Sequence, residues 1–249
     1  MSIIRNFPKA LADEHSTWHM NRPIPAGEHG SGFGFLTFHH QYLEHFDKWY
    51  DKQPSANQAA VAPWIEIPSA LKVQAAGWNA DLAASEDRIV HHPETFANVD
   101  QLGIVIETVI HNWLHPSSAD LYKEPVLAEV HNANLSTYFY QIHGLVDSWF
   151  TSWLQSDAAA KVDAWFDRDG YLAAYPDARA AAAKGGDPLE HYRQVGWREG
   201  HNPSAAFNTD FYLKAHPDVA AAGINPLDHF LHFGHTDGQL SFSDGHWMI

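Results

Sequence analysis

Apolar residues recur at three- and four-residue steps over four long stretches, Phe7–Met20, Phe35–Tyr50, Val99–Leu114 and Leu135–Leu154. That period marks helices with one buried face. Between the second and third stretches, Asp51–Pro93 breaks the pattern with Pro54, Pro63, Pro68 and Gly77 and carries one β-like run, Trp64–Ile67. It predicts a long irregular excursion with room for a small hairpin. Four helices separated by such excursions predict a mainly α fold, a four-helix bundle with a site at its centre.

Past residue 156 the pattern changes to an internal repeat. Phe166-Asp167-Arg168-Asp169-Gly170-Tyr171-Leu172 aligns with Phe207-Asn208-Thr209-Asp210-Phe211-Tyr212-Leu213, and Asp187-Pro188-Leu189-Glu190-His191-Tyr192 aligns with Asn225-Pro226-Leu227-Asp228-His229-Phe230. Asp187 and Asn225 are expected N-caps, with Pro188 and Pro226 at the first helical position and Gly196 and Gly234 ending the short helices. A pair of short helices cannot bury its apolar face alone and must stack on the next pair. The chain is therefore expected to hold two domains, 1–156 and 157–249, the second a small α-helical repeat domain with repeats at about 163–203 and 204–240. The repeat resembles one written F-D-x-x-Y-L-x-x-x-P-D-V-A-A-A-G, found in many bacterial secreted or surface-associated proteins. The resemblance is silent on chemistry, and packing or surface positions are the expected fate of His191, His201, His216, His229, His232 and His235.

Composition narrows the chemistry. Thirty acidic residues against 15 basic ones give a formal charge of −15, which repels nucleic acid and anionic membrane. No run of 18 apolar residues is present, so no membrane span is expected. The opening segment has neither an apolar core nor a small-residue cleavage site. No N-terminal signal peptide is expected, which leaves a cytoplasmic location or a secretion route independent of one. Cysteine is absent and histidine reaches 19 copies. Thiol chemistry is excluded, and any metal must be held by imidazole, carboxylate or backbone oxygen.

Two segments concentrate the imidazoles. His111 and His115 are four apart, so both project from one face of a helix. His143 follows on the next long stretch among Tyr140, Leu145, Val146 and Trp149, and His39 sits among Phe35, Leu36, Leu43 and Phe46. His29 precedes it in a glycine-rich turn that can swing the ring inward. Three inward nitrogens leave an open position for an exogenous ligand, which suits a reactive metal site.

At these residues the chain resembles the type 3 copper family of tyrosinases, catechol oxidases and hemocyanins. Phe35-Leu36-Thr37-Phe38-His39-His40-Gln41-Tyr42-Leu43-Glu44-His45-Phe46-Asp47 is similar to the family motif F-L-P-W-H-R-x-Y-L-x-x-F-E. His111-Asn112-Trp113-Leu114-His115 fits H-N-x-x-H, and Phe139–Trp149 fits much of D-P-x-F-x-x-H-x-x-I-D-x-x-W. The likeness covers about residues 10–155. Thr37-Phe38, His40 and Ser136-Thr137 depart from the motifs, and no clean match exists for the family's water-orienting glutamate, since Glu107 is too close to His111. These departures bear on monophenol hydroxylation more than on diphenol oxidation.

The resemblance implies a four-helix bundle holding two copper ions. The first would be bound by His19, His29 and His39, with His15 as the alternative to His19, and the second by His111, His115 and His143. It implies an oxidoreductase that uses dioxygen to oxidise a small phenol, o-diphenol or aminophenol to a quinone, with Asn112 helping to deprotonate the bound phenol. The same ligands would serve a non-catalytic dioxygen carrier, and the repeat region admits an adhesion module with a vestigial copper fold. Asp147, one turn after His143, is a candidate for holding a ligand's second ring nitrogen or for anchoring the helix. The tail Gly234–Ile249, with Phe242 and Trp247, is a candidate plug for the pocket.

Overall fold

The computed structural model describes residues 3–22, 24–54, 56–156, 159 and 161–234. The chain is mainly α. Among the described residues the extended pairings are two isolated bridges, Ile3 with Ser136 and Ser204 with Phe207. The chain divides into two compact units. Among the described residues, the first takes those up to His92 and then Leu102–Thr151; the second takes Pro93–Gln101 and those from Ser152 to Gly234. The boundary thus precedes residue 156, because Trp153, at the end of a long helix, is buried in the second unit with its ring 6.1 Å from that of Trp165.

In the first unit, α1 (Lys9–Asn21) and α2 (Ser31–Tyr50) come first. Helix α2 buries Phe33, Phe35, Leu36, Phe38, Tyr42 and Phe46. The excursion that follows is more ordered than its composition predicts, with a single turn α3 (Gln58–Val61) and a full helix α4 (Ala80–His91). Asn79 caps α4 by accepting from the N–H groups of Asp81 and Leu82 at 2.9 and 3.0 Å, and Asp81, Arg88 and His91 complement the helix dipole. The β-like run Trp64–Ile67 pairs with no strand. Trp64 instead donates its N–H to the Gln141 carbonyl at 3.1 Å and its indole N–H to the Gln141 side chain at 2.8 Å.

The third helical stretch is not one regular helix. It runs as α5 (Val99–Val105), a π-helical turn (Ile106–His111) and α6 (Asn112–Tyr122). Two local features accompany the widened turn. The Thr108 hydroxyl donates to the Ile104 carbonyl at 2.7 Å, drawing off a main-chain acceptor. Pro116 has no N–H to return to the carbonyl one turn back. Gly103 lets this segment lie against α2, since a Cβ there would come within 2.1 Å of the Gly32 carbonyl oxygen. The last long helix, α7 (Thr137–Leu154), buries Phe139, Tyr140, Ile142, Leu145 and Val146.

The second unit carries the repeats as α8 (Arg168–Ala174), α9 (Pro176–Ala182) and α10 (Pro188–Gln194), then α11 (Thr209–Ala215), α12 (Pro217–Ala222) and α13 (Pro226–His229). Asp187 and Asn225 cap as expected, each accepting from main-chain N–H groups at 3.0–3.1 Å. Gly196 acts differently from expectation. Helix α10 stops at Gln194, and Gly196 opens a further turn, which the left-handed Gly200 (φ +78°) closes. Gly196 is there for space, because a Cβ would meet the Tyr171 hydroxyl at 2.1 Å. Gly234 ends a π-helical turn, Phe230–Gly234. His235 and the tail carrying Phe242 and Trp247 lie outside the described residues. Among the described residues no helix is long and apolar enough to cross a membrane.

Candidate metal centre

Two trios of histidines meet inside the first unit. Helix α1 contributes His15 and His19, one turn apart, and α2 contributes His39. One ring nitrogen from each lies within 4.8 Å of the other two. The second trio takes His111 from the end of the π turn, His115 from α6 and His143 from α7, with the same mutual limit of 4.8 Å. Ring centroids within the first trio are 4.6, 5.5 and 5.6 Å apart; within the second they are 4.5, 5.0 and 5.2 Å apart. The trios adjoin each other. His39 stacks on His143 at 4.5 Å, and His39 and His111 are 6.0 Å apart.

The second ring nitrogens are oriented by the main chain. The Nδ1–H of His39 donates to the Phe35 carbonyl at 2.8 Å, that of His143 to the Phe139 carbonyl at 2.9 Å, and that of His115 to the Leu127 carbonyl at 2.8 Å. Each bond fixes the tautomer and leaves Nε2 as a lone pair facing inward. Four ring nitrogens are buried with no hydrogen-bond partner: His15 Nδ1, His39 Nε2, His111 Nδ1 and His115 Nε2. Buried polar atoms are nearly always satisfied, so four orphans in one place call for an absent partner. His111 Nε2 and His143 Nε2 lie 3.1 Å apart, a distance at which both cannot carry a proton.

Electrostatics keeps these rings neutral. Burial, reinforced by the neighbouring imidazoles, holds His15, His39, His111 and His143 well below the usual histidine range. Burial and, second, the Arg22 guanidinium bring His19 down to about 4; burial alone brings His115 to about 4. Neutral imidazole is the form that binds metal. No carboxylate belongs to either trio. The donor set fits a pair of transition-metal ions that favour nitrogen, and not calcium or magnesium, which require oxygen.

The expected ligands are partly regrouped. His19, His39, His111, His115 and His143 come together. His15 joins His19, so the two are partners and not alternatives. His29 does not join them. It is exposed on the turn before α2, which Gly27 and Gly30 bend with φ values of +87° and +90°. The spacing of His15 and His19 on an amphipathic helix, the same as that of His111 and His115, was the signal for the full trio.

Asp147 holds no ligand ring. It pairs with His40 Nδ1 at 2.7 Å, and the carbonyls of Phe35, Phe139 and Leu127 take the role expected of it. Glu107 is buried in the π turn and is bound by both terminal nitrogens of Arg22, one of them at 3.2 Å. That pair ties the end of α1, three residues past His19, to the segment carrying His111.

A cleft of about 280 Å³ opens onto the centre. Its walls include His15, His19, His111 and His115, with Leu127, Ala128, Val130, Ala133 and Pro116 beside them. Asn112, the expected catalytic residue, lines the same cleft with an exposed side chain. His39 and His143 lie deeper, 2% and 0% exposed. Compared with family models, with curated proteins and with solved structures, the chain matches none of them.

Proposed function

We propose that the chain is a dinuclear copper oxidase of tyrosinase-like chemistry, its four long helical runs forming a bundle around the metals. One copper ion would be held by His15, His19 and His39 and the other by His111, His115 and His143. The observation that carries this reading is the pair of adjoining three-histidine groups with four buried ring nitrogens that have no hydrogen-bond partner. Copper would supply the dioxygen binding and one-electron changes that imidazoles alone lack. The motif likeness around His39, His111 and His143 favours copper over zinc.

The chain's own residues supply orientation and exclusion. The three main-chain carbonyls lock the ligand rings. The apolar wall of Leu127, Val130 and Ala133 favours a flat, uncharged guest over a hydrated ion. Asn112 would accept or donate a hydrogen bond at the phenolic hydroxyl. The open cleft favours an oxidase over a pure dioxygen carrier, which needs no room for an aromatic ring. Glu107, held by Arg22, is not poised to act as a base, which favours o-diphenol oxidation over monophenol hydroxylation. The overall reaction would take two electrons and two protons from each of two catechols and reduce one dioxygen to two waters.

The test is turnover of 4-methylcatechol by the copper-loaded chain. Quinone should form with matching dioxygen uptake, and the H39A variant should lose it. A fully copper-loaded, folded protein with no uptake above free copper contradicts the proposal.

A further inference from the structure

The second unit contains another cluster, formed by Asp177, His191 and His201. One ligand atom from each lies within 4.8 Å of the others. We propose that this trio is a separate site for a borderline divalent cation, with zinc as the reference ion. The proposal is independent of the copper reading.

The two repeats provide the comparison. Each uses a tyrosine–histidine hydrogen bond as part of its packing: Tyr171 to His191 Nδ1 at 3.0 Å, and Tyr212 to His229 Nδ1 at 2.9 Å. That pair therefore belongs to the repeat and needs no ligand. The first repeat adds to it. His201 follows the left-handed Gly200 and lies flat on Tyr175, with ring centroids 3.8 Å apart and planes 9° apart. Asp177, in the first turn of α9, places Oδ2 3.3 Å from His191 Nε2 and 4.0 Å from His201 Nδ1. Continuing the alignment, the second repeat keeps an aspartate at Asp218 but has Gln239 where the first has His201.

The chemistry suits a metal better than a simple salt bridge. Ligands about 2.0–2.1 Å from a tetrahedral zinc stand roughly 3.3 Å apart. The Asp177–His191 pair is already at that separation, the Asp177–His201 pair must close by less than 1 Å, and the two imidazole nitrogens lie within 4.8 Å of each other. The moving partner is available, since the Asp177 side chain is 46% exposed while the two imidazoles are 13% and 12% exposed. The Tyr171 hydroxyl lies 3.0 Å from His191 Nδ1 and 3.2 Å from His201 Nδ1. It fixes the His191 ring so that Nε2 faces the aspartate, the kind of outer support that metal-binding histidines have, and its contact with His201 Nδ1 gives way when that nitrogen takes the ion. Glu199, 3.6 Å from His201 Nε2, adds negative charge beside the site. Two imidazoles and one carboxylate leave a fourth position for water.

The test is zinc content of the full chain after equilibrium dialysis, for the wild type, H201Q and D177N. H201Q copies the second repeat. D177N leaves the contacts among Tyr171, His191 and His201 in place. Each variant should hold one zinc fewer per chain than the wild type, and H143A, in the other centre, should leave this difference intact. If H201Q loses its helical circular dichroism, D177N decides alone. A D177N protein with wild-type zinc content overturns the proposal.

Discussion

The carbonyls of Phe35, Phe139 and Leu127 decide what three of the imidazoles, His39, His143 and His115, can do, because each takes the Nδ1–H of one ring and turns its Nε2 inward. The regrouping of the first trio gives a direct residue-level prediction. H15A should lower copper content by one ion per chain, and H29A should leave it unchanged, as measured by metal analysis after loading. The reverse pattern contradicts the assignment. Proton binding gives a second prediction. His19 and His115 titrate near 4 in the folded chain, below their usual 6.5. Between those values the unfolded chain binds more protons, so the stability of the metal-free protein rises with pH across that window. It should be fully present above about 6.5 and decline as pH falls toward 4. Equal urea midpoints at pH 5 and 7.5 would contradict this. At this scale the sequence was informative where helical spacing applied. His39, His111, His115 and His143 were legible because an amphipathic helix dictates which way each ring points. The motif mapping places His29 in the first trio and offers His15 only as an alternative to His19, yet the direction of a loop residue depends on turn geometry, which no periodicity encodes.

The elements show where periodicity stops being a guide. The stretch Val99–Leu114 reads as a regular helix, yet it carries a π turn ending at His111. One extra residue per turn leaves the apolar pattern almost unchanged, so the pattern could not reveal it. Such turns recur at functional sites. This segment also depends on the close approach of Gly103 to Gly32. G103A would force a Cβ to within 2.1 Å of a carbonyl oxygen, and separating the two backbones should cost roughly 1–3 kcal/mol. A clear drop in thermal midpoint is expected, and an unchanged midpoint would show that the contact is slack. Helix α4 escapes the periodicity for a different reason. Pro54, Pro63 and Pro68 break the pattern of Asp51–Pro93 but all precede α4, Pro93 follows it, and Asn79 starts a regular helix between them. N79A should cost about 1 kcal/mol in a denaturant titration. No change would mean that tertiary packing alone sets the start of α4.

Across the whole molecule, charge and composition exclude more than they assign. The −15 balance and the absence of cysteine direct attention to histidine, and the fold concentrates the imidazoles in two places of different character. The six-histidine centre is buried, apolar and reached by a cleft; the cluster in the second unit is partly open and has a carboxylate at its edge. Buried nitrogens without partners weaken the metal-free protein and reward a bound ion, so copper should raise the thermal midpoint with the logarithm of its free concentration over Kd. The most direct measurement is anomalous diffraction at the copper absorption edge from crystals of the loaded chain. Two peaks are predicted, one among His15, His19 and His39 and one among His111, His115 and His143, at the roughly 3.5–4 Å separation of a paired site. A single peak shared by all six rings, or no peak among them, would contradict the account.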